Sequence, residues 1–282
     1  MRLHHDTLTS GARPEKAIAF LHGILGTRVN LRSHARRFVE RRPEFLALLV
    51  DLRAHGQSQA IDGADTVAAA AMDVIETAAA IGHPLAQVVG HSFGGKVALC
   101  LLGQAPELER VVTIDSAPGP RLDARGSEAT VRVLGLLEAL IGPWKSRDAF
   151  IAEVEARGES RSMASWLAMN LAVEADRYVL RLELGRIRSL LDSYLALDAW
   201  PMVEAAVATG RTQVDLVIAN GSLVYSPEDR ARAAGLASAS PERIRVQVLE
   251  GGHWLHVENP SGVDRVLWGD SSNPSPSIVV GA

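Results

Sequence analysis

The chain has 282 residues, of which 47% are apolar and 22% charged, the balance of a globular protein that can bury a large core. This composition excludes a disordered chain, a collagen-like fibre and a coiled coil. The 29 basic and 33 acidic residues give a net charge of −4, which argues against nucleic acid or anionic membrane as a partner. The single cysteine, Cys100, excludes a scaffold built on intrachain disulfides.

Two further features bear on location. No apolar run approaches the roughly 18–20 residues that a membrane-spanning helix needs. Residues 1–6 lack the apolar segment of a secretory signal. The sequence therefore predicts a cytoplasmic protein without a membrane span. It does not distinguish a monomer from a homodimer.

Along most of the chain, short β-prone runs alternate with helical patterns, which predicts a mostly parallel sheet flanked by helices. Predicted strands lie at residues 17–21, 45–52, 87–89, 110–114, 214–218 and 244–249. Predicted helices lie at 30–42, at 65–81 with Asp65 as N-cap, at 96–102, from about 226 onward, and at 260–268.

The alternation stops at residues 119–200, where amphipathic patterns at 131–141, 163–173 and 187–197 predict helices. We interpret this stretch as a helical lid inserted into one α/β core, which comprises residues 1–118 and 201–268. Residues 269–282 are rich in Ser and Pro, a composition that predicts a disordered tail.

The segment Gly90-His91-Ser92-Phe93-Gly94 matches the G-x-S-x-G pattern of a nucleophile elbow. A predicted strand precedes it and a predicted helix follows it, which is the context that an elbow requires. The turn exposes the serine hydroxyl, and the helix N-terminus favours the negative charge that develops beside it. Ser92 is therefore the predicted nucleophile.

A serine hydroxyl needs a base to remove its proton. His253 follows the last predicted strand, in a loop from which it can reach the serine, and His256 is its nearest alternative. The remaining candidates are less suited. His91 is expected to serve packing or to support the site residues from behind. His4, His5, His34 and His83 fit surface or capping positions.

The base in turn needs a carboxylate that orients it and stabilises the imidazolium. Asp115 ends the fourth predicted strand, at the sheet edge where ligands gather in open α/β folds. The loop after the strand at 214–218 contains no acid before Glu228 and Asp229, and Ser226 with Asp229 forms a capping box that explains these two. Asp115 is favoured, with Asp229 and Glu228 as alternatives.

An acyl-transfer site also needs two backbone N–H donors for the oxyanion. Phe93 supplies one because it follows the nucleophile, and Ile24, in the glycine-containing loop after the first predicted strand, is the candidate for the other. The predicted substrate pocket is mostly aromatic and comprises His22, Trp144, Trp166, Trp200 and Trp254. Met163, Leu167 and Met169 are further candidates for its roof. The alternative for the lid residues, equally open, is that they only pack the lid helices against each other.

Taken together, these motifs resemble those of the α/β-hydrolase fold family over nearly all of residues 1–268. The resemblance is strongest to a branch of small bacterial and mitochondrial esterases with a Gly-His-Ser-x-Gly-Gly-Lys elbow. In that branch the acid stands after the strand that follows the elbow, which corresponds here to Asp115, whereas many other members carry it at about Ser222. The resemblance also implies a two-donor oxyanion hole and no cofactor. The matching residues are His22-Gly23, Asp51-x-Arg53-x-His55-Gly56-x-Ser58, Gly90-x-Ser92-x-Gly94-Gly95-Lys96, Ile114-Asp115-x-x-Pro118 and Gly252-His253.

The predicted function is hydrolysis of small-molecule carboxylic esters with short to medium acyl chains, through a Ser-His-Asp triad, without metal or cofactor. The alternatives are a thioesterase, an enzyme of the same fold with other chemistry (a cofactor-free haloperoxidase or a C–C bond hydrolase) and a ligand receptor with slow turnover. An NAD-binding domain is disfavoured because no G-x-G-x-x-G follows the first predicted strand.

Overall fold

The strands form one seven-stranded sheet and one two-stranded sheet in the computed structural model, which describes residues 2–11, 13–105 and 107–270. The strands are β1 (His5–Leu8), β2 (Lys16–Leu21), β3 (Phe45–Val50), β4 (Leu85–His91), β5 (Arg110–Ile114), β6 (Leu171–Glu174), β7 (Arg177–Leu180), β8 (Gln213–Ala219) and β9 (Ile244–Leu249). The large sheet has the order β1-β3-β2-β4-β5-β8-β9, and only β1 runs antiparallel to its neighbour.

Alternation of side chains along the strands builds a core on each face of the large sheet. In β2, Ala17, Ala19 and Leu21 join one apolar cluster, whereas Ile18 and Phe20 join the other. Both faces are buried, which explains why the central strands are continuous apolar runs rather than alternating ones. Ser92 and Asp115, two of the predicted site residues, directly follow β4 and β5 at the carboxyl ends of these buried strands.

Helices cover both faces of the sheet. They are α1 (Arg32–Arg41), α2 (Val67–Ala80), α3 (Phe93–Cys100), α4 (Glu128–Glu138), α5 (Arg147–Ala156), α6 (Arg161–Leu167), α7 (Leu184–Ala196), α8 (Trp200–Thr209), α9 (Pro227–Ala239), α10 (Leu255–Glu258) and α11 (Pro260–Trp268). α1 and α11 pack on the face that carries Phe20, and α2 and α3 pack on the opposite face. Every residue of α3 is buried, including Lys96. The helix predicted at 96–102 is apolar on nearly every side, which indicates burial of this kind.

The chain between β5 and β8 contains α4 to α8 and is mainly helical, but one predicted helix there is wrong. The pattern at 163–173 forms α6 only as far as Leu167, then a 3₁₀ turn at Ala168–Asn170, then β6. β6 pairs with β7 through a tight turn in which Ala175 and Asp176 both have positive φ. Neither residue is glycine, so the sequence carries no strong signal for this hairpin.

Two local predictions are also corrected. Thr66, not Asp65, caps α2, because its side chain accepts the N–H of Ala69 while Asp65 pairs with Arg186. His34 is buried rather than on the surface, because it bonds to Asp264, which is remote in sequence.

The predicted core ends where α11 ends, at Trp268. Of the predicted tail, residues 271–282 lie outside the described residues, so its disorder stays a prediction. Among residues 2–11, 13–105 and 107–270, no helix is both long enough and apolar enough to cross a bilayer.

Candidate active site

Ser92 stands at the sharp turn between β4 and α3. It is the residue before the helix, with φ 51° and ψ −116°, a conformation that a non-glycine residue rarely adopts. Strain of this kind costs about 1–3 kcal/mol and persists where surrounding structure fixes it. The turn presents the hydroxyl at the carboxyl edge of the sheet, and the side chain nevertheless remains nearly buried.

The glycines around Ser92 are required by close packing of backbone against backbone. A Cβ on Gly90 would lie 2.1 Å from the carbonyl oxygen of Gly94, and a Cβ on Gly94 would lie 2.4 Å from that of Leu21. A Cβ on Gly95 would lie 2.4 Å from the Cβ of Ser116. These contacts bring β2, β4 and the loop after β5 together under the serine.

Three side chains from separate parts of the chain form one hydrogen-bonded series. Nε2 of His253 lies 3.0 Å from Oγ of Ser92, and Nδ1 of the same ring lies 2.7 Å from Oδ2 of Asp115. The Asp115 carboxylate is fully buried, and its Oδ1 accepts the backbone N–H of Ala219 at 3.1 Å. The carboxylate therefore fixes Nδ1 of His253 as the protonated nitrogen and leaves Nε2 free to accept a proton from the serine.

The alternative acids stand elsewhere. Asp229 accepts a hydrogen bond from the indole of Trp200 at 2.7 Å, and its backbone N–H donates to Oγ of Ser226, the predicted cap of α9. Glu228 lies in the first turn of the same helix, on the exposed side. The structure thus brings Asp115 to His253 and leaves Asp229 and Glu228 in the capping region.

The predicted oxyanion donors flank the serine. Among the described residues, no hydrogen-bond partner exists for the backbone N–H of Ile24 or of Phe93. Phe93 opens α3 immediately after Ser92. The loop that carries Ile24 is close as well, since a Cβ on the adjacent Gly23 would lie 3.5 Å from Cβ of Ser92. Both amides are therefore available to an oxygen bound beside the serine.

Two buried histidines hold the loop of Ile24 in place. Nε2 of His55 accepts the N–H of Leu25 at 3.0 Å, and Nε2 of His22 accepts the N–H of Leu52 at the same distance. In each ring Nδ1 donates to a backbone carbonyl, so both are neutral and of defined tautomer. Burial lowers the pKa of His55 to about 3 and also lowers the pKa of His22. The loop therefore keeps this support across the neutral range.

Ser92 and His253 open into a cavity of about 150 Å³ with a mainly apolar lining. Of the predicted pocket residues, His22, Trp166 and Trp254 line it, and Trp166 and Trp254 contact each other edge to face at 4.8 Å. Met163 also lines it, whereas Leu167 and Met169 do not.

Trp144 and Trp200 do not line this cavity, which corrects their predicted role. Trp144 packs edge to face on Phe150 and donates its indole N–H to Glu153. Trp200 is buried against α9 through its bond to Asp229. Both tryptophans join structural elements to each other. Tertiary contacts, rather than composition, decide which aromatic side chains line the cavity.

His91 and His256 also line the cavity, a position that was not predicted from the sequence. Nε2 of His91 donates to the backbone carbonyl of His253 at 2.8 Å, and so holds the loop of the base. The signal was present in part, because His91 lies next to Ser92 and His256 lies three residues after His253. Within the residues that the structure covers, no cluster of three or more His, Cys, Asp or Glu has the arrangement of a metal site.

Comparison with known proteins identifies the family of the chain. The family described as the alpha/beta hydrolase family matches residues 18–266. The chain is 26% identical to the sn-1-specific diacylglycerol lipase ABHD11 of Mus musculus over 257 residues, which cover 90% of this chain and 80% of that protein. It is 26% identical to Esterase YbfF of Escherichia coli (strain K12) over 251 residues, which cover 89% of this chain and 91% of that protein.

A solved structure extends the comparison to the fold. A marine microorganism esterase superposes with a TM-score of 0.78 at 19% identity, over 95% of this chain and 98% of that one. The chain therefore belongs to the alpha/beta hydrolase family. Within the family it falls with the carboxylic ester hydrolases.

Proposed function

We propose that the enzyme hydrolyses carboxylic esters with short to medium acyl chains through a covalent acyl-enzyme on Ser92. The observation that carries this proposal is the series Ser92–His253–Asp115, with its heavy-atom distances of 3.0 and 2.7 Å. These are hydrogen-bonding distances, so proton transfer needs no rearrangement of the side chains.

In the first half-reaction, Nε2 of His253 takes the proton of Ser92 while Oγ attacks the ester carbonyl. The tetrahedral oxyanion accepts hydrogen bonds from the backbone N–H groups of Ile24 and Phe93. The imidazolium, stabilised by Asp115, then protonates the leaving alcohol oxygen as the C–O bond breaks. The alcohol departs, and the acyl group remains bonded to Ser92.

In the second half-reaction, His253 removes a proton from water, which attacks the acyl carbonyl through a second oxyanion at the same two amides. The bond to Ser92 breaks, Oγ recovers its proton from the imidazolium, and the carboxylic acid leaves. No step requires a metal or a cofactor.

The size and lining of the cavity support the limit on chain length. A cavity of about 150 Å³ accommodates a molecule of about the size of benzene. We further propose that residues 119–200 act as a lid, because this stretch supplies apolar residues of the cavity wall, among them Val133, Met163 and Trp166. Cytoplasmic location, monomeric or homodimeric state and independence of nucleic acid stay predictions.

The test is a series of p-nitrophenyl esters from acetate to palmitate, assayed with the wild type and Ser92→Ala. We expect kcat/KM to peak at short or medium chains and Ser92→Ala to lower kcat by about 10⁶-fold. Acyl thioesters of the same lengths form a parallel arm that distinguishes a thioesterase. Equal rates for the wild type and Ser92→Ala would contradict the proposed nucleophile.

A further inference from the structure

One wall of the cavity is made of aromatic rings that carry nitrogen. The imidazoles of His91 and His256 lie 4.4 Å apart between centroids, and His91 lies 4.8 Å from the ring of His253. The indole of Trp254 lies 5.8 Å from His256. The wall is therefore continuous with the base of the active site, while much of the remaining lining is apolar.

The hydrogen bonds of this wall leave several nitrogen atoms unused. Nε2 of His91 donates to the carbonyl of His253, so its Nδ1 carries only a lone pair and is an acceptor. Nδ1 of His91 has no partner in the described part of the chain. His256 is only 6% exposed, and its Nδ1 is buried without a partner among the described residues. Its Nε2 likewise makes no hydrogen bond to another described residue.

Both rings are neutral. Burial, together with the neighbouring His34 and His253, lowers the pKa of His256 to about 3. Burial, together with His256 and His253, holds the pKa of His91 well below its ordinary value. A neutral His256 offers one N–H donor and one acceptor, and His91 adds a second acceptor.

The position of His256 is fixed by groups behind it. Nε2 of His34 donates to the backbone carbonyl of His256 at 2.9 Å, and Nδ1 of His34 bonds to Asp264 at 2.6 Å. The short helix α10 is thus held against α1 and α11, which fixes the backbone from which the His256 ring extends into the wall. Because buried polar atoms without partners destabilise a fold, a ring kept in this state indicates a ligand that pairs with it.

We propose that His256, together with His91, forms a hydroxyl-binding subsite, and that the natural ester carries a neutral hydroxyl on the part that fills this cavity. This inference rests on the proposed ester hydrolysis and specifies its substrate class. A hydroxyl both donates and accepts, so it can use the His256 N–H and a histidine lone pair together, whereas a carbonyl uses only the donor. A charged group would be buried without a counter-charge, which is unfavourable.

Two matched substrate comparisons test the subsite. Ethyl butyrate is compared with ethyl 3-hydroxybutyrate, which places the hydroxyl on the acyl part, and with 2-hydroxyethyl butyrate, which places it on the alcohol part. We expect the wild type to favour one of the hydroxylated esters in kcat/KM by about 5- to 10-fold, the gain from one added hydrogen bond. Each ratio is corrected for the rate of alkaline hydrolysis without enzyme.

The variants separate polarity from ring shape. His256→Phe keeps an aromatic ring without nitrogen and should reduce the ratio to about one. His256→Asn keeps a donor and an acceptor and should retain part of the preference. His83→Phe, at a partly buried histidine outside the cavity, is the matched control and should keep the wild-type ratio. Thermal melting identifies any variant that fails to fold.

A binding measurement distinguishes failure of the subsite from failure of ester hydrolysis. N-ethylbutanamide, N-ethyl-3-hydroxybutanamide and N-(2-hydroxyethyl)butanamide are titrated calorimetrically into Ser92→Ala, which requires no turnover. Preferential binding of a hydroxylated amide without hydrolysis of any ester would support the subsite and contradict the proposed function. Hydrolysis without preference for either hydroxylated ester, or a preference that His256→Phe leaves unchanged, would overturn the subsite.

Discussion

The indole N–H of Trp200 donates a hydrogen bond of 2.7 Å to Oδ1 of Asp229. This contact joins the start of α8 to the first turn of α9, where Asp229 also caps the helix with Ser226. The carboxylate of Asp229 is thereby engaged in holding two helices together. These helix contacts account for an acid at position 229. Asp115 makes no such contacts and is instead bonded to His253 and to the backbone of Ala219.

The first prediction compares these two acids. Asp115→Asn should lower kcat by about 10⁴-fold, because an amide at this position favours the wrong tautomer of His253. Asp229→Asn, the matched control, keeps an acceptor for Trp200 and should leave kcat/KM close to the wild-type value. Both variants are assayed on the best p-nitrophenyl ester, with melting curves as a check on folding. A large loss only in Asp229→Asn would transfer the acid role to Asp229.

The second prediction concerns the elbow. Gly90→Ala would place a methyl group 2.1 Å from the carbonyl oxygen of Gly94, and such overpacking costs typically about 1–3 kcal/mol or more. The backbone of the turn must then shift, so we expect both the free energy of unfolding and kcat to fall. The measurement is urea denaturation together with the ester assay.

Gly135 in α4 provides the control for Gly90, since a Cβ there meets no atom within 4 Å and the backbone is helical. Gly135→Ala should raise the free energy of unfolding by about 0.5–1 kcal/mol, because alanine loses less backbone entropy in a helix. Equal stability of the two variants would mean that the elbow accommodates a side chain.

The third prediction follows from the buried histidines. Burial lowers the pKa of His55 and of His256 to about 3, and the pKa values of His22 and His91 are lowered by the same cause. The ordinary pKa of a histidine side chain is 6.5. Below this pH, these four histidines bind protons in the unfolded chain but not in the folded chain. The free energy of unfolding should therefore fall with decreasing pH, by up to about 1.4 kcal/mol per pH unit for each histidine.

Urea denaturation between pH 8 and pH 4.5 measures this dependence. His256→Asn removes one of the four groups, so its free energy of unfolding should fall less steeply than that of the wild type. If the free energy of unfolding of the wild type stays constant from pH 7 to pH 5, these rings bind protons in the folded chain as they do in the unfolded chain, which would contradict the prediction.

The fourth prediction concerns Lys96, which is fully buried in α3. Its ammonium donates to the carbonyls of Gly119, Tyr194 and Leu197 at 2.7–2.8 Å, so it joins the elbow helix to the chain between β5 and β8. Burial, with Arg121 nearby, lowers the pKa of Lys96 to about 7. The ordinary pKa of a lysine side chain is 10.5. Between pH 7 and pH 10.5, Lys96 therefore carries its proton in the unfolded chain but not in the folded chain.

The stability that Lys96 contributes should accordingly rise with pH. The difference in unfolding free energy between the wild type and Lys96→Met should increase from pH 7 to pH 9, by at most about 2.7 kcal/mol. Lys16→Met, at an exposed ion pair with Glu109, controls for the loss of a lysine side chain. A difference that falls as pH rises would contradict the direction of the shift.

Much of the large sheet and the proximity of Ser92, His253 and Asp115 could be predicted from the sequence. Buried parallel strands are continuous apolar runs, and the residues that follow them meet at one edge whatever their separation along the chain. This is why Ser92, Asp115 and His253 could be brought together from local patterns. β1 was missed because it is a short strand of partly exposed residues at the sheet edge.

What escaped prediction depends on contacts between remote parts of the chain. His34 is buried because it bonds to Asp264 in α11, and no residue near His34 in the sequence indicates that partner. Trp144 and Trp200 find their partners, Glu153 and Asp229, outside the cavity. The sequence shows three tryptophans between residues 144 and 200, but packing decides which of them line the cavity.

The proposed catalytic side chains and part of the cavity wall come from different stretches of the chain. Ser92, Asp115 and His253 follow strands of the large sheet, whereas Val133, Met163 and Trp166 lie between β5 and β8. Substitutions confined to that one interval of the gene can change the range of accepted esters during evolutionary divergence. Such substitutions leave the serine, the imidazole and the carboxylate in place, because these three are encoded elsewhere.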